Sequence, residues 1–397
     1  MKIYHAKIVL PDQVIENGYV SIEADRIVQI EQGEPDIVES ADLDAGGKWL
    51  TPGLIDSHSD AIEVEIEPRP TSRFTVELSF AELEKKLAAE GITTIFHAVS
   101  LMKQNTVRKG RDNETVYALI NSLNRLANGP HLIRHKTHLR YEIANINALD
   151  AVSALIQNGK IDQLSLTDHT PGQGQYRDLE VQRRLLIDHR HYTEQEAEQI
   201  IEETKKLPKL DTHSIEKLTQ LANAYGVSVA SHDDDTIEKL EIVRDWNAGI
   251  SEFPITIEAA RYARQLGMLT VMGAPNLVLG KSHSNNLSAH EAVNEGLVDI
   301  FCSDYYPASL LHAAFKLHYE LGMSASQAFN TVTLNPAKAL HLDQLTGSIE
   351  LGKKADLLVV GVSETNGPQL THVFVDGAEV CRMHYLLPEP QQTVEGR

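Results

Sequence analysis

Leu50-Thr-Pro-Gly-Leu-Ile-Asp-Ser-His-Ser-Asp60 is the stretch around which the rest of the chain is organised. It reads as a buried strand that ends in two metal-ligand types, His58 and Asp60. Side chains two apart on a strand point to the same side, so this imidazole and this carboxylate converge on one point. A polar turn would account for His-x-Asp taken alone. The recurrence of the same kind of ending further along the chain weighs against that reading.

Outward from this stretch, apolar runs alternate with amphipathic ones, the pattern of parallel strands joined by helical crossovers. Eight strands are predicted, at residues 50–60, 93–100, 131–143, 163–170, 227–233, 249–254, 269–276 and 299–305, with helices over 80–91, 194–206, 215–225 and 257–267. Eight β/α pairs make a closed α/β barrel of the TIM type. Both ends of the chain have a different texture, with short β-rich runs separated by Gly, Asp, Pro and Asn. The expected organisation is a (β/α)8 barrel over 51–344, with a small β-sandwich built from residues 1–50 and 345–397.

Composition narrows the class. With 397 residues, 42% hydrophobic and 23% charged, the chain can bury an ordinary globular core without staples. Two cysteines, Cys302 and Cys381, are too few for a disulfide framework or a cysteine zinc site and suggest a reducing compartment. The opening residues break at Pro11 before any signal-like apolar run, and no run approaches the roughly 20 residues of a membrane span. A cytoplasmic protein is expected. The net charge of −20 argues against nucleic acid or anionic membrane as a partner, while leaving room for a local basic pocket and a phosphorylated small molecule. Base rates favour a homodimer.

Several predicted strands end as the first one does. The third places His138, Arg140 and Glu142 on one face; the fourth ends in His169, the fifth in His232 and the eighth in Asp304. In an eight-stranded barrel the carboxyl ends of the strands open on the face where active sites sit. His58, Asp60, Glu142, His169, His232 and Asp304 are more ligands than one cation needs. They suit two divalent ions a few ångströms apart, with Glu142 as the bridge. Singly, each has a plainer explanation: a histidine among 18 is usually not a ligand, Asp304 could cap a helix, and Glu142 could pair with Arg140.

Pro52-Gly-Leu-Ile-Asp-Ser-His58, the later histidines, Ser303-Asp304, Asn335-Pro-Ala-Lys-Ala-Leu340 and Gly347-Ser-Ile-Glu-Leu-Gly-Lys-Lys-Ala-Asp356 together resemble the amidohydrolase superfamily along essentially the whole chain. The resemblance implies a metal-dependent hydrolase in which a metal-bridging hydroxide is the nucleophile and Asp304 both binds metal and shuttles the proton. One departure stands out: His58-Ser-Asp60 replaces the usual His-x-His. A carboxylate there makes the site harder and admits manganese, magnesium or iron beside zinc, the first expectation.

Seven longer motifs resemble the phosphonate-metabolism branch of that superfamily. They include His58-x-Asp60 with Glu67-Pro-Arg-Pro70, Leu166-Thr-Asp-His-Thr-Pro-Gly-Gln-Gly-Gln-Tyr-Arg-Asp178, Ser231-His-Asp-Asp234, Glu252-Phe-Pro-Ile-Thr256 and Lys281-Ser-His-Ser-Asn285. That resemblance implies hydrolysis of alpha-D-ribose 1-methylphosphonate 5-triphosphate to the 5-phosphate and diphosphate, in phosphonate catabolism. Arg69, Arg73, Arg177, Lys281 and His283 are then the candidates for gripping phosphate oxygens, and Asn276 and Ser282 for the sugar or methylphosphonate. Gly172, Gln173 and Gly174 beside Arg177 read as a loop able to close over substrate. The competing readings are an amidohydrolase acting on a C–N bond, in a cyclic amide or N-acyl substrate, and a silent scaffold. Five cations near the strand ends disfavour the first, and a complete ligand set disfavours the second.

Overall fold

The computed structural model describes residues 1–69, 72–102, 111–174, 178–189, 192–280, 286–363 and 365–386. Five strands come first: β1 (Lys2–Val9), β2 (Val14–Glu23), β3 (Arg26–Gln32), β4 (Leu43–Asp44) and β5 (Trp49–Pro52). Eight follow in the middle of the chain: β6 (Leu54–Ser59), β7 (Ile92–Leu101), β8 (Arg134–Glu142), β9 (Gln163–Thr167), β10 (Ser228–His232), β11 (Ile250–Glu252), β12 (Leu269–Gly273) and β13 (Ile300–Cys302). Three close the sequence: β14 (Leu357–Ser363), β15 (Gly367–Val375) and β16 (Ala378–Arg382).

The expected first strand is two strands. β5 pairs with β1 and β14, whereas β6 pairs with β7, so the chain changes sheets at Gly53. A Cβ there would lie 2.3 Å from the Thr93 hydroxyl, which is why this crossing needs glycine.

The middle strands form one parallel sheet in sequence order, β6 through β13. Its two ends meet over a short seam. Asp304 donates its N–H to the His58 carbonyl at 3.0 Å, and the Asp60 N–H returns to the Asp304 carbonyl at 2.7 Å. At the other end of the seam, Ile55 and Phe301 donate to Val332 and Thr331. Between these, buried Asp56 accepts from the Ser303 N–H (2.9 Å) and hydroxyl (2.6 Å). Ile55, Phe96, Ala230, Ile250, Val271 and Ile300 fill the barrel beneath its mouth. The surrounding helices begin on side-chain caps: Thr75, Asp112, Asp211, Thr236 and Thr256 each accept from the N–H three residues on.

Strands from both termini form the second sheet, in the order β16-β15-β14-β5-β1-β2-β3 with β4 against β1. It is antiparallel except where β1 meets β4 and β5. Its far edge curls back, because Ile27 donates to Lys353 and Gly352 donates to Ile27, and a core of Ile3, Ile8, Val20, Leu50, Leu357 and Phe374 lies inside. The two cysteines are free, and among the described residues no helix is long and apolar enough to cross a membrane.

Arg134, at the start of β8, ties the two sheets together. Its guanidinium donates to both oxygens of Asp356 (2.6 and 2.8 Å) and to Asp376 (2.6 Å), and Thr346 also donates to Asp356. Removing one partner of a buried pair leaves the other charge uncompensated, which costs about 3 kcal/mol or more. Arg134→Met is therefore expected to lower the denaturation free energy by about 3 kcal/mol, read from a urea midpoint. A loss under about 0.5 kcal/mol would show that the latch contributes nothing net.

Candidate metal centre

The mouth of the barrel gathers the polar strand ends. His58 is the last residue but one of β6, His138, Arg140 and Glu142 alternate along β8, His232 ends β10 and Glu252 ends β11. Beyond the strands come Asp60, His169, Asp233 and Asp304. Asp233 (φ 54°) and Phe253 (φ 55°), directly after β10 and β11, and Asp304 (φ 55°), two residues after β13, take left-handed backbone angles without being glycine. Each such residue costs about 1 kcal/mol, and such strain persists where surrounding structure holds it, often at functional sites.

Two groups of ligand atoms lie within 4.8 Å of one another: His58, His138 and Glu252, and His169, His232 and Asp233. Glu252 organises the first. Burial pushes its carboxyl up, but the neighbouring His138 and His58, and hydrogen bonds from His58 and Ser165, hold it down to about 2. It is a carboxylate and can only accept. Gln163 donates to Oε1 at 2.9 Å, His58 Nδ1 lies 3.3 Å from Oε1, and the Ser165 hydroxyl donates to Oε2 at 2.6 Å. Having given its proton to Glu252, Ser165 can only accept from His138 Nε2, 2.6 Å away.

On that count the proton sits on His138 Nε2; its buried Nδ1 has no well-formed hydrogen bond among the described residues, although the Ser57 backbone lies beside the ring. His58 likewise turns Nδ1 to Glu252 and leaves Nε2 buried and without a hydrogen bond among the described residues, 4.0 Å from Asp60 Oδ1. Two buried imidazoles and a carboxylate with ligand atoms this close, and a second carboxylate at Asp60, are a donor set that fits a divalent cation. Burial lowers His138 to about 3, so its ring is neutral, as a ligand must be. For His58 burial opposes charge, yet Glu252 wins and the pKa is raised; a bound cation would displace that proton.

In the second group, Glu142 accepts from His169 Nδ1 at 2.6 Å and from its backbone N–H at 3.1 Å. Burial raises Asp233 to about 6 against the pull of His169, Lys239 and Arg140. Arg140 does not pair with Glu142. Its Nη1 donates to Asp60 Oδ1 (3.1 Å) and its Nη2 meets His232 Nε2 (2.9 Å). Burial disfavours its charge, but Asp60, Glu63, Asp304 and Glu252 outweigh that and raise its pKa further. His232 is held far below the usual range by burial, then by Arg140 and His58.

Of the six expected ligands, His58, Asp60 and His232 are linked through His58–Asp60 and Asp60–Arg140–His232 contacts, Asp304 joins them by backbone bonds to His58 and Asp60, and His169 and Glu142 form a separate pair. Glu252, His138 and Asp233 were not among the expected ligands. The rule that picked out the other strand ends applies equally to Glu252, the last residue of β11. Arg69 and Arg73 are exposed on the loop after the helix Ala61–Ile66. The Asn276 carboxamide donates to the Leu287 carbonyl (3.4 Å) and accepts from the Ala289 N–H (3.2 Å), which leaves one N–H and one lone pair for the expected sugar contact. The glycine loop is anchored where Gly174 donates to Asp235 at 2.9 Å. Arg177, Lys281, Ser282 and His283 lie outside the described residues.

A parallel barrel with a terminal β-sheet and histidines and carboxylates at its mouth defines a class, and the chain belongs to it: the amidohydrolase family model matches residues 49–380. It is a hydrolase of that family. Along 96% of its length and 100% of the other chain, it is 34% identical to alpha-D-ribose 1-methylphosphonate 5-triphosphate diphosphatase of Escherichia coli K12. An imidazolonepropionase of Alkaliphilus oremlandii is 24% identical, with 87% of this chain and 84% of that one covered. A solved 5-methylcytosine deaminase of Klebsiella pneumoniae superposes with a TM-score of 0.64 at 16% identity, covering 98% of this chain and 100% of that one.

Glu252→Gln keeps the shape but loses the charge that aligns His58 and, through Ser165, His138. Partners of this kind are typically worth about 10–100-fold in metal affinity. Zinc competition against a chromogenic chelator is expected to show a drop of that size; unaltered affinity would remove Glu252 from the alignment of these rings.

Proposed function

We propose that this chain is a divalent-metal-dependent diphosphatase that cleaves alpha-D-ribose 1-methylphosphonate 5-triphosphate to the 5-phosphate and diphosphate, in phosphonate catabolism. The observation that carries the proposal is the 34% identity, end to end, with a diphosphatase of that substrate. The donor set supports it. In this reading His58, Asp60, Glu142, His169, His232 and Asp304 hold two cations, with His138 and Glu252 beside them. Zinc is the first choice; the carboxylate at position 60 also suits manganese, magnesium or iron.

Cations bound there would neutralise phosphate oxygens and lower the pKa of a water to about 7. The remaining work falls to the chain's own groups. Asp304 is the proton acceptor for the attacking water, its backbone pinned by the seam bonds to His58 and Asp60. Arg69 and Arg73, with Arg177, Lys281, Ser282 and His283, are assigned to the phosphate oxygens and the methylphosphonate-bearing sugar. Forked guanidinium donors suit a leaving diphosphate, which departs with more charge than an amine would.

The direct test is diphosphate release from the ribose 5-triphosphate, abolished by chelation and restored by zinc or manganese. Absence of release with every divalent metal, beside turnover of a cyclic amide, would reverse the assignment towards the C–N chemistry of the imidazolonepropionase relative. Asp304→Asn isolates the carboxylate, since Asn accepts the left-handed backbone equally well. Turnover is expected to fall roughly 100- to 10,000-fold with little change in melting temperature. Wild-type rates would take Asp304 out of the mechanism. Arg69→Ala should raise KM alone if its contact is uniform, and lower kcat if it grips developing charge. Unchanged kinetics would show that Arg69 does not meet substrate.

A further inference from the structure

Arg140 is a fixed cation in the middle of the centre, and its contact with His232 has a strict consequence. A guanidinium only donates and keeps its protons at any working pH. Its Nη2, 2.9 Å from His232 Nε2, therefore donates into that nitrogen's lone pair. A neutral imidazole has a single lone pair, so the His232 proton is on Nδ1, which is buried, 4.0 Å from Glu252 Oε2, and makes no hydrogen bond among the described residues. While this contact lasts, neither nitrogen of His232 can ligate a metal. The same guanidinium holds Asp60 Oδ1 at 3.1 Å.

The other side of the mouth is arranged the opposite way. His58, His138 and Glu252 bring ligand atoms within 4.8 Å of one another, and among the described residues no cationic side chain donates to either ring. The centre is asymmetric, ready for a cation at one end and already occupied by one at the other. Arg140 is gripped through its terminal nitrogens, by both oxygens of Asp60 and by His232.

We propose that Arg140 serves as a built-in cation that shares the centre with a single divalent ion and closes the second position until its guanidinium leaves His232. This refines the two-ion arrangement given above. It rests on the metal reading of the site and is independent of the substrate assignment.

The test is metal counting without substrate. Chelated protein is dialysed against graded free zinc and analysed by inductively coupled plasma mass spectrometry, for wild type and Arg140→Met. Wild type is expected to take one equivalent well before a second, and Arg140→Met to bind the second at least about tenfold more tightly than wild type. Because Arg140→Met could fold poorly, the wild type is also followed by nitrogen-15 NMR of labelled histidines, with His232 assigned from His232→Gln. Its ring should keep the Nδ1–H tautomer through the first equivalent of zinc. Two equivalents of equal affinity in wild type, a folded Arg140→Met with no gain in second-ion affinity, or a metal-shifted His232 nitrogen at the first equivalent would overturn the proposal. Failure of wild type to bind any zinc, manganese or iron would instead overturn the metal reading itself, and this inference with it.

Discussion

A fully buried carboxylate, Glu252, is the constraint on which the centre depends. A charge with no access to water is tolerated only if every lone pair is answered. Here the answers come from three other strands of the barrel: Gln163 and Ser165 on β9, His138 on β8 through Ser165, and His58 on β6. Satisfying Glu252 thus bears on which nitrogen of each ring carries the proton, and so on which nitrogen keeps its lone pair. The metal-binding potential follows from the hydrogen-bond arithmetic of one anion.

The positive counterpart is Arg140, which lies among Asp60, Glu63, Asp304 and Glu252. Without divalent ions, so many carboxylates around one opening would repel one another, and a guanidinium relieves that repulsion. Folding stability and metal binding are therefore coupled at this point: the group that holds the mouth together also competes for its ligands.

Closure of the barrel completes the site. β13 has only three residues, and the seam to β6 relies on Asp304 bonding both to His58 and to Asp60. The backbone that joins the last strand to the first therefore carries the proposed proton acceptor and positions two proposed ligands. The left-handed angles at Asp233, Phe253 and Asp304 turn the chain sharply as it leaves β10, β11 and β13, in a rigid frame tied to the terminal sheet through Arg134.

The barrel and the β-rich termini were legible in the sequence because both rest on local periodicity: apolar strand runs, amphipathic helices, and His or Asp two apart at strand ends. The sequence also brought His58, Asp60, Glu142, His169, His232 and Asp304 into one expected set, since strand ends in such a barrel share a face. Only the tertiary structure decided the partners. Arg140 and Glu142 are two apart on β8, yet Arg140 goes to Asp60 and His232 while Glu142 goes to His169. The split of residues 50–60 at Gly53 likewise depends on which sheet supplies each neighbour. Glu252 acquires its role from residues up to 194 positions away. Periodicity reports which way a side chain faces, but pairing, tautomer and charge state are set by distances across the barrel, which no local pattern encodes.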